Sequence, residues 1–214
     1  MSIKESNLIF DLDGTLFDSA PEIIDCLKEI FKKNDIKVKN SFDQSIIGPP
    51  LKDILKSIIQ KKDISKIDVL MSEFIKLYDC KYCYKTRLYK SVRETLEILN
   101  RKKRLFLITN KRLAPTKIML ENKEIIHFFE NYFCVDINDL KKKDKNTLIA
   151  NTIVDLNINP KDTVYIGDTK GDTAKILTQT NSGYIFSFLD SNSLEEKLLY
   201  FYSMFKNNDL KVYS

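Results

Sequence analysis

The chain contains a single histidine, His127, in the apolar run Glu124-Ile125-Ile126-His127-Phe128-Phe129. With no histidine near any other candidate catalytic group, a Ser-His-Asp hydrolase is unsupported, and the ring is expected to be structural. Cysteine is scarce, at four residues. Cys80 and Cys83 form a C-x-x-C, but no second pair of this kind and no histidine pair accompanies it, which argues against a zinc site. Reduced, buried or incidental thiols are expected, set on a helix where residues three apart share a face. No apolar run approaches the roughly 20 residues of a membrane span. The first seven residues are polar and lead directly into an apolar stretch, unlike a leader peptide. A cytoplasmic protein without a membrane partner is therefore expected. RNP and C₂H₂ patterns are absent, and the lysines behind the net charge of +5 are spread along the chain. That distribution reads as a solvated basic surface rather than a nucleic-acid site, while its sign favours anionic ligands.

What is present reads as one sizeable domain carrying an insert. The length of 214 residues and an apolar content of 43% suit a globular chain of that size. Strand patterns fall at 7–10, 104–108, 132–135, 163–166 and 183–188, the later four separated by helix-like segments. Such alternation predicts a parallel sheet flanked by helices, a Rossmann-like α/β architecture. The first two strands are about ninety residues apart, where a crossover needs only a few tens. The intervening stretch reads as helical. Apolar residues at 23, 24, 27, 30 and 31, then in 51–59 and 67–78, keep helical spacing, with Ser19 placed to cap the first helix and Pro21 in its first turn. Ile47-Gly48-Pro49-Pro50-Leu51 is a stiff turn between two of these helices.

The densest chemistry lies at the first strand's end, in Leu8-Ile9-Phe10-Asp11-Leu12-Asp13-Gly14-Thr15-Leu16-Phe17-Asp18. Open α/β sheets place ligands at the carboxyl ends of their strands. Two carboxylates one residue apart there repel each other unless a cation is near. Three other strands or segments offer matching pieces: Thr109-Asn110-Lys111 after Arg104–Ile108, the lysine run Lys141–Lys145, and Gly167-Asp168 followed by Asp172 after Thr163–Ile166.

Together these four pieces resemble the motif set of the haloacid dehalogenase-like phosphohydrolase superfamily, in the phosphoglycolate phosphatase-like branch with a helical cap. The resemblance implies a Mg²⁺-dependent phosphatase acting on a small phosphorylated metabolite, as a monomer or homodimer, with core 1–16 and 85–214 and a cap over 17–84. It implies Asp11 as nucleophile, Asp13 as general acid and then base, and Thr109 and Asn110 as donors to phosphate. Gly14 would allow the chain to close on the phosphate. Asp11, the main-chain carbonyl of Asp13 and Asp168 would hold Mg²⁺, with Asp172 supporting them. The phosphate-binding lysine is Lys145 or Lys143. Lys145 has the spacing of members whose lysine opens a helix, and the prolines of K-P-x-P that would favour Lys143 are missing. Lys111 extends the T-N-K run as a substrate contact or a surface lysine. Gly48 and Lys52 lie in or beside the G-x-P turn that faces the active site in this branch. Asp18 is a capping or hinge residue. A phosphomutase or phosphonatase on the same fold remains open, as does a non-catalytic binding protein. The insert lacks the histidine that mutase caps carry, and no member of the catalytic set is missing.

Overall fold

The computed structural model describes residues 7–39, 42–47, 49–136, 145–158 and 163–167. They divide into two compact units. One is Asp18–Arg87; the other is the chain up to Phe17 and from Leu88 onward.

The second unit is built on a four-stranded, wholly parallel sheet. Its strands are β1 (Asn7–Phe10), β4 (Arg104–Thr109), β5 (Asn131–Cys134) and β6 (Thr163–Ile166), in the spatial order β5-β4-β1-β6. β1 and β6 are buried along their whole length. That explains why they read as unbroken apolar runs rather than alternating ones. Alternation reappears in what each face touches. Ile9, Phe106, Ile108 and Tyr165 share a face with Phe133 and Val135. Against it pack Ile149, Ile153 and Leu156, which follow helical spacing along and just past α6 (Lys145–Asp155). The neighbouring residue Phe10 points to the opposite face, where its ring meets Phe129 edge-on at 6.2 Å. Helix α4 (Val92–Asn100) packs on β4, and α5 (Leu113–Asn122) packs on β5. At the amino end of the sheet, Arg104 grips Glu130 with two hydrogen bonds of 2.7 and 2.6 Å.

The unit Asp18–Arg87 is helical. α1 (Ala20–Lys33) buries Ile23, Cys26, Leu27, Ile30 and Phe31, the stripe that the sequence periodicity predicts. α2 (Leu51–Ile58) buries Ile54, Leu55 and Ile58, and α3 (Ile67–Leu77) buries Ile67, Leu70 and Phe74. Between α1 and α3, Lys33 and Asn34 both bond Glu73, at 2.8 and 2.6 Å. Glu29 accepts from Lys81 Nζ and from the Tyr82 hydroxyl, each at 2.6 Å.

Several local expectations are corrected. Ser19 occupies the position before α1, but its backbone is already helical and its side chain makes no cap bond. Its buried hydroxyl has no partner among the described residues. Pro21 does sit in the first turn. Cys80 and Cys83 do not share a helix face, since Cys80 is exposed and Cys83 buried. Residues Tyr78–Tyr82 form a π-helical turn, closed by Cys83 N donating to Tyr78 O at 2.9 Å. The wider turn changes the angle between residues three apart. The sequence shows no strand at the ends of the insert, yet β2 (Phe17–Asp18) pairs with β3 (Arg87–Leu88) as a two-stranded sheet. The strand expected at 183–188 lies outside the described residues. No helix among the described residues is long and apolar enough to cross a membrane.

Candidate active site

The site starts where β1 ends. Phe10 is paired level with Leu107 on one side and Ile166 on the other. Asp11 is the first residue beyond, and its amide still donates to Ile166 O at 2.8 Å. Its carboxylate is buried, and Oδ1 accepts the Leu12 amide at 2.8 Å. A charge-assisted bond from the adjacent main chain fixes the direction of this carboxylate.

The loop that follows is wound on Leu12. Leu12 O accepts from Leu16 N and Phe17 N at 2.9 and 3.0 Å, and Gly14 N donates to Phe17 O at 2.9 Å. Leu12, Leu16 and Phe17 are buried and anchor the loop, while Asp13 and Gly14 stay partly open. Gly14 has φ of 76°, a left-handed conformation that a side chain would strain. Thr15, given no role in the sequence analysis, buries a hydroxyl with no partner among the described residues.

The second element of the site is the turn after β4. Thr109 is buried, and its Oγ1 accepts the Lys111 amide at 3.1 Å. Because the oxygen is used as an acceptor there, the hydroxyl proton remains to donate elsewhere. Asn110 is exposed. Lys111 turns back toward the first loop, and its Nζ lies 2.9 and 3.0 Å from the two carboxylate oxygens of Asp13. The Lys111 side chain is only 8% exposed, which excludes a solvated surface lysine. Buried ammonium and carboxylate groups persist only when paired, so each secures the other. On the far side of the turn, Leu113 N donates to Asp136 Oδ1 at 2.8 Å, giving α5 a cap from the end of β5. Asp136 was invisible to motif reading.

The third element is the end of β6. Gly167 follows Ile166, and a methyl group added there would fall 2.6 Å from Cε1 of Tyr165. A side chain at position 167 would therefore force the Tyr165 ring or the backbone to shift. Asp168 and Asp172 lie outside the described residues, as do Lys143 and Gly48. Lys145 is the first residue of α6. Lys52 lies on α2, half exposed, with Nζ 3.5 Å from Asp68. Asp18 belongs to β2 and is partly buried. His127 is exposed, its ring against that of Phe128.

The structure thus gathers Asp11, Asp13, Gly14, Thr109 and Lys111 at the carboxyl ends of adjacent strands. A model of the family "haloacid dehalogenase-like hydrolase" matches residues 8–175, which include all of these. The chain belongs to that hydrolase family. Among curated members it is 29% identical over 172 residues to a phosphoglycolate phosphatase from Nitrosospira multiformis, covering 77% of this chain and 75% of that one. It is 28% identical over 174 residues to the pyrophosphatase PpaX of Oceanobacillus iheyensis, covering 80% and 78%. A solved haloacid dehalogenase-like hydrolase from Streptococcus pneumoniae shares the fold, with a TM-score of 0.71 at 24% identity, covering 92% of this chain and 98% of that one. The enzyme class that follows for this family member is phosphatase, a phosphoric monoester hydrolase.

Among the described residues no three His, Cys, Asp or Glu side chains form a metal cluster. The donors at the end of β1 are hard oxygens, with the buried Asp11 carboxylate foremost. That donor set fits Mg²⁺, which binds through one or two carboxylates and retains waters.

Proposed function

We propose that this chain is a Mg²⁺-dependent phosphatase of a small phosphorylated metabolite, working through an aspartyl-phosphate on Asp11. The observation that carries this reading is the buried Asp11 carboxylate at the end of β1, its direction set by the Leu12 amide. Asp13 and the Thr109 hydroxyl stand on the two adjoining loops.

An Asp11 oxygen attacks phosphorus as the bond to the ester oxygen breaks, and Asp13, in its protonated form for this step, gives its proton to the departing alkoxide. Asp13 then removes a proton from water. The water oxygen attacks phosphorus, the bond to Asp11 breaks, and phosphate and a free Asp11 carboxylate remain. Thr109 donates its hydroxyl proton to a non-bridging oxygen, with the Asn110 amide and Lys145 or Lys143 as further partners. When bound, Mg²⁺ neutralises phosphate charge and helps align the ester. Asp11, the Asp13 main-chain carbonyl and Asp168 are its proposed ligands, supported by Asp172. The curated relatives make 2-phosphoglycolate the first substrate to try, with sugar phosphates, nucleoside monophosphates and pyrophosphate beside it.

The test is phosphate release from such a panel with Mg²⁺ and with chelator. Release that requires the metal and vanishes in a folded Asp11→Asn variant is expected. Turnover retained by Asp11→Asn, or silence of the wild-type protein across the panel, would reject the reading.

A further inference from the structure

The Asp13 carboxylate meets its counter-charge 98 residues further along the chain. Both partners sit on backbone fixed by local bonds. Asp13 lies in the loop closed by Gly14 N to Phe17 O. Lys111 lies between Thr109 Oγ1, which takes its amide, and Asp136, which caps Leu113. The ammonium approaches both oxygens of Asp13 almost equally, at 2.9 and 3.0 Å, so it restrains the plane of the carboxyl group as well as its position. A lysine fixed this way is costly in rotamer freedom and hydration, and the contact it secures is with the carboxylate beside the nucleophile.

We infer that Lys111 is a positioning residue: it holds the Asp13 carboxyl group in the orientation from which that group exchanges protons with the leaving group and with water. The inference rests on the phosphatase reading of Asp11 and Asp13. It assigns Lys111 to the work of Asp13 rather than to direct capture of the substrate. It also explains how the acidic pair of this loop is partly neutralised by the chain itself, since a cation beside one carboxylate eases the repulsion felt by the other.

Two variants and one background separate this role from the alternatives. Lys111→Met is expected to lower kcat by about 10- to 100-fold. Lys111→Arg, whose guanidinium can span both oxygens of a carboxylate, is expected to restore most of the loss. Should the Met variant fail to fold, Lys111→Gln is read in its place. The decisive comparison uses Asp13→Asn, where the carboxylate that Lys111 holds is gone. There, a further Lys111→Met change is expected to leave the dissociation constant for inorganic phosphate, read by calorimetry with Mg²⁺ present, within about twofold. The double variant should also turn over no more slowly than Asp13→Asn alone. Full kcat in Lys111→Met would overturn the inference. So would a tenfold or greater loss of phosphate affinity on removing Lys111 from the Asp13→Asn background, roughly 1.4 kcal/mol, which would make Lys111 a substrate ligand. Failure of the underlying reading looks different, because the wild-type protein itself would then release no phosphate.

Discussion

Asp136 Oδ1 accepts the amide of Leu113 at 2.8 Å, so the end of β5 caps the helix that follows the Thr109-Asn110-Lys111 turn. Arg112, the residue at the cap position itself, makes no side-chain cap bond. The cap therefore comes from outside the helix and ties the site turn to the neighbouring strand. Replacing Asp136 with Ala should cost about 1 kcal/mol, the usual worth of a lost N-cap. Activity should fall as well, because the turn carrying Thr109 and Lys111 loses a fastening to the neighbouring strand. Urea unfolding alongside turnover checks both effects. Unchanged stability would show that the cap bond is not maintained in solution.

The thiols give a direct test of packing. Cys26, Cys83 and Cys134 are buried and Cys80 is exposed, all four unbridged. Burial pushes the Cys134 thiol up to about 11 and that of Cys26 up to about 12, away from the reactive thiolate form. A disulfide reagent at pH 8 should titrate one thiol quickly in the native protein, and a Cys80→Ser variant should lose that phase. The other three should react only on unfolding. Two or more fast thiols would contradict the packing of α1, α3 and β5.

The fork between Arg104 and Glu130 predicts a pH dependence. The hydrogen-bonded guanidinium holds the Glu130 carboxyl below its ordinary range. The unfolded chain then binds more protons than the folded one as pH falls, so the pair's stabilisation is present above about 4.3 and disappears in acid. Both side chains are more than one-third exposed, and the effect should stay below about 1 kcal/mol. Glu130→Gln should therefore lower the urea midpoint slightly at pH 7 and by less at pH 3. An equal gap at both values would assign the loss to packing rather than charge.

Much of the fold was legible because strands buried on both faces leave a plain sequence signal. Leu8-Ile9-Phe10 and Val164-Tyr165-Ile166 read as strands for this reason, and the stripe at Ile23, Leu27 and Ile30 read as a helix from its spacing. Other features carried no period to detect. Phe17–Asp18 and Arg87–Leu88 are two-residue strands, too short to alternate. The π-turn at Tyr78–Tyr82 carries no residue type that marks it in the sequence. Asp11, Asp13 and Thr109 were legible as members of a motif, whereas the partner of Lys111 was not, since an ion pair across 98 residues exists only once β1 and β4 lie side by side. The same holds for Asp136, which reaches Leu113 because β5 is the neighbour of β4.

Gly167 shows how an apparently generic motif residue acquires a specific cause. A side chain there would be crowded by the Tyr165 ring folded against it. Gly167→Ala should destabilise the protein by about 1–3 kcal/mol through overpacking. Combining it with Tyr165→Val, which removes the ring, should recover part of that loss relative to Tyr165→Val alone. Simple additivity of the two changes in thermal unfolding would deny the contact.

The most direct test of the mechanism is chemical capture of the acyl phosphate. Asp13→Asn protein would be mixed with Mg²⁺ and p-nitrophenyl phosphate, whose phenolate leaves without a proton so that the second step is the one slowed, and then quenched with borohydride, which reduces an acyl phosphate to an alcohol. Mass spectrometry of the peptide containing residue 11 should show Asp11 converted to homoserine, only when both ester and metal were present. Active wild-type protein accompanied by unmodified Asp11 in this trap, or by conversion of a different carboxylate, would contradict Asp11 as the nucleophile.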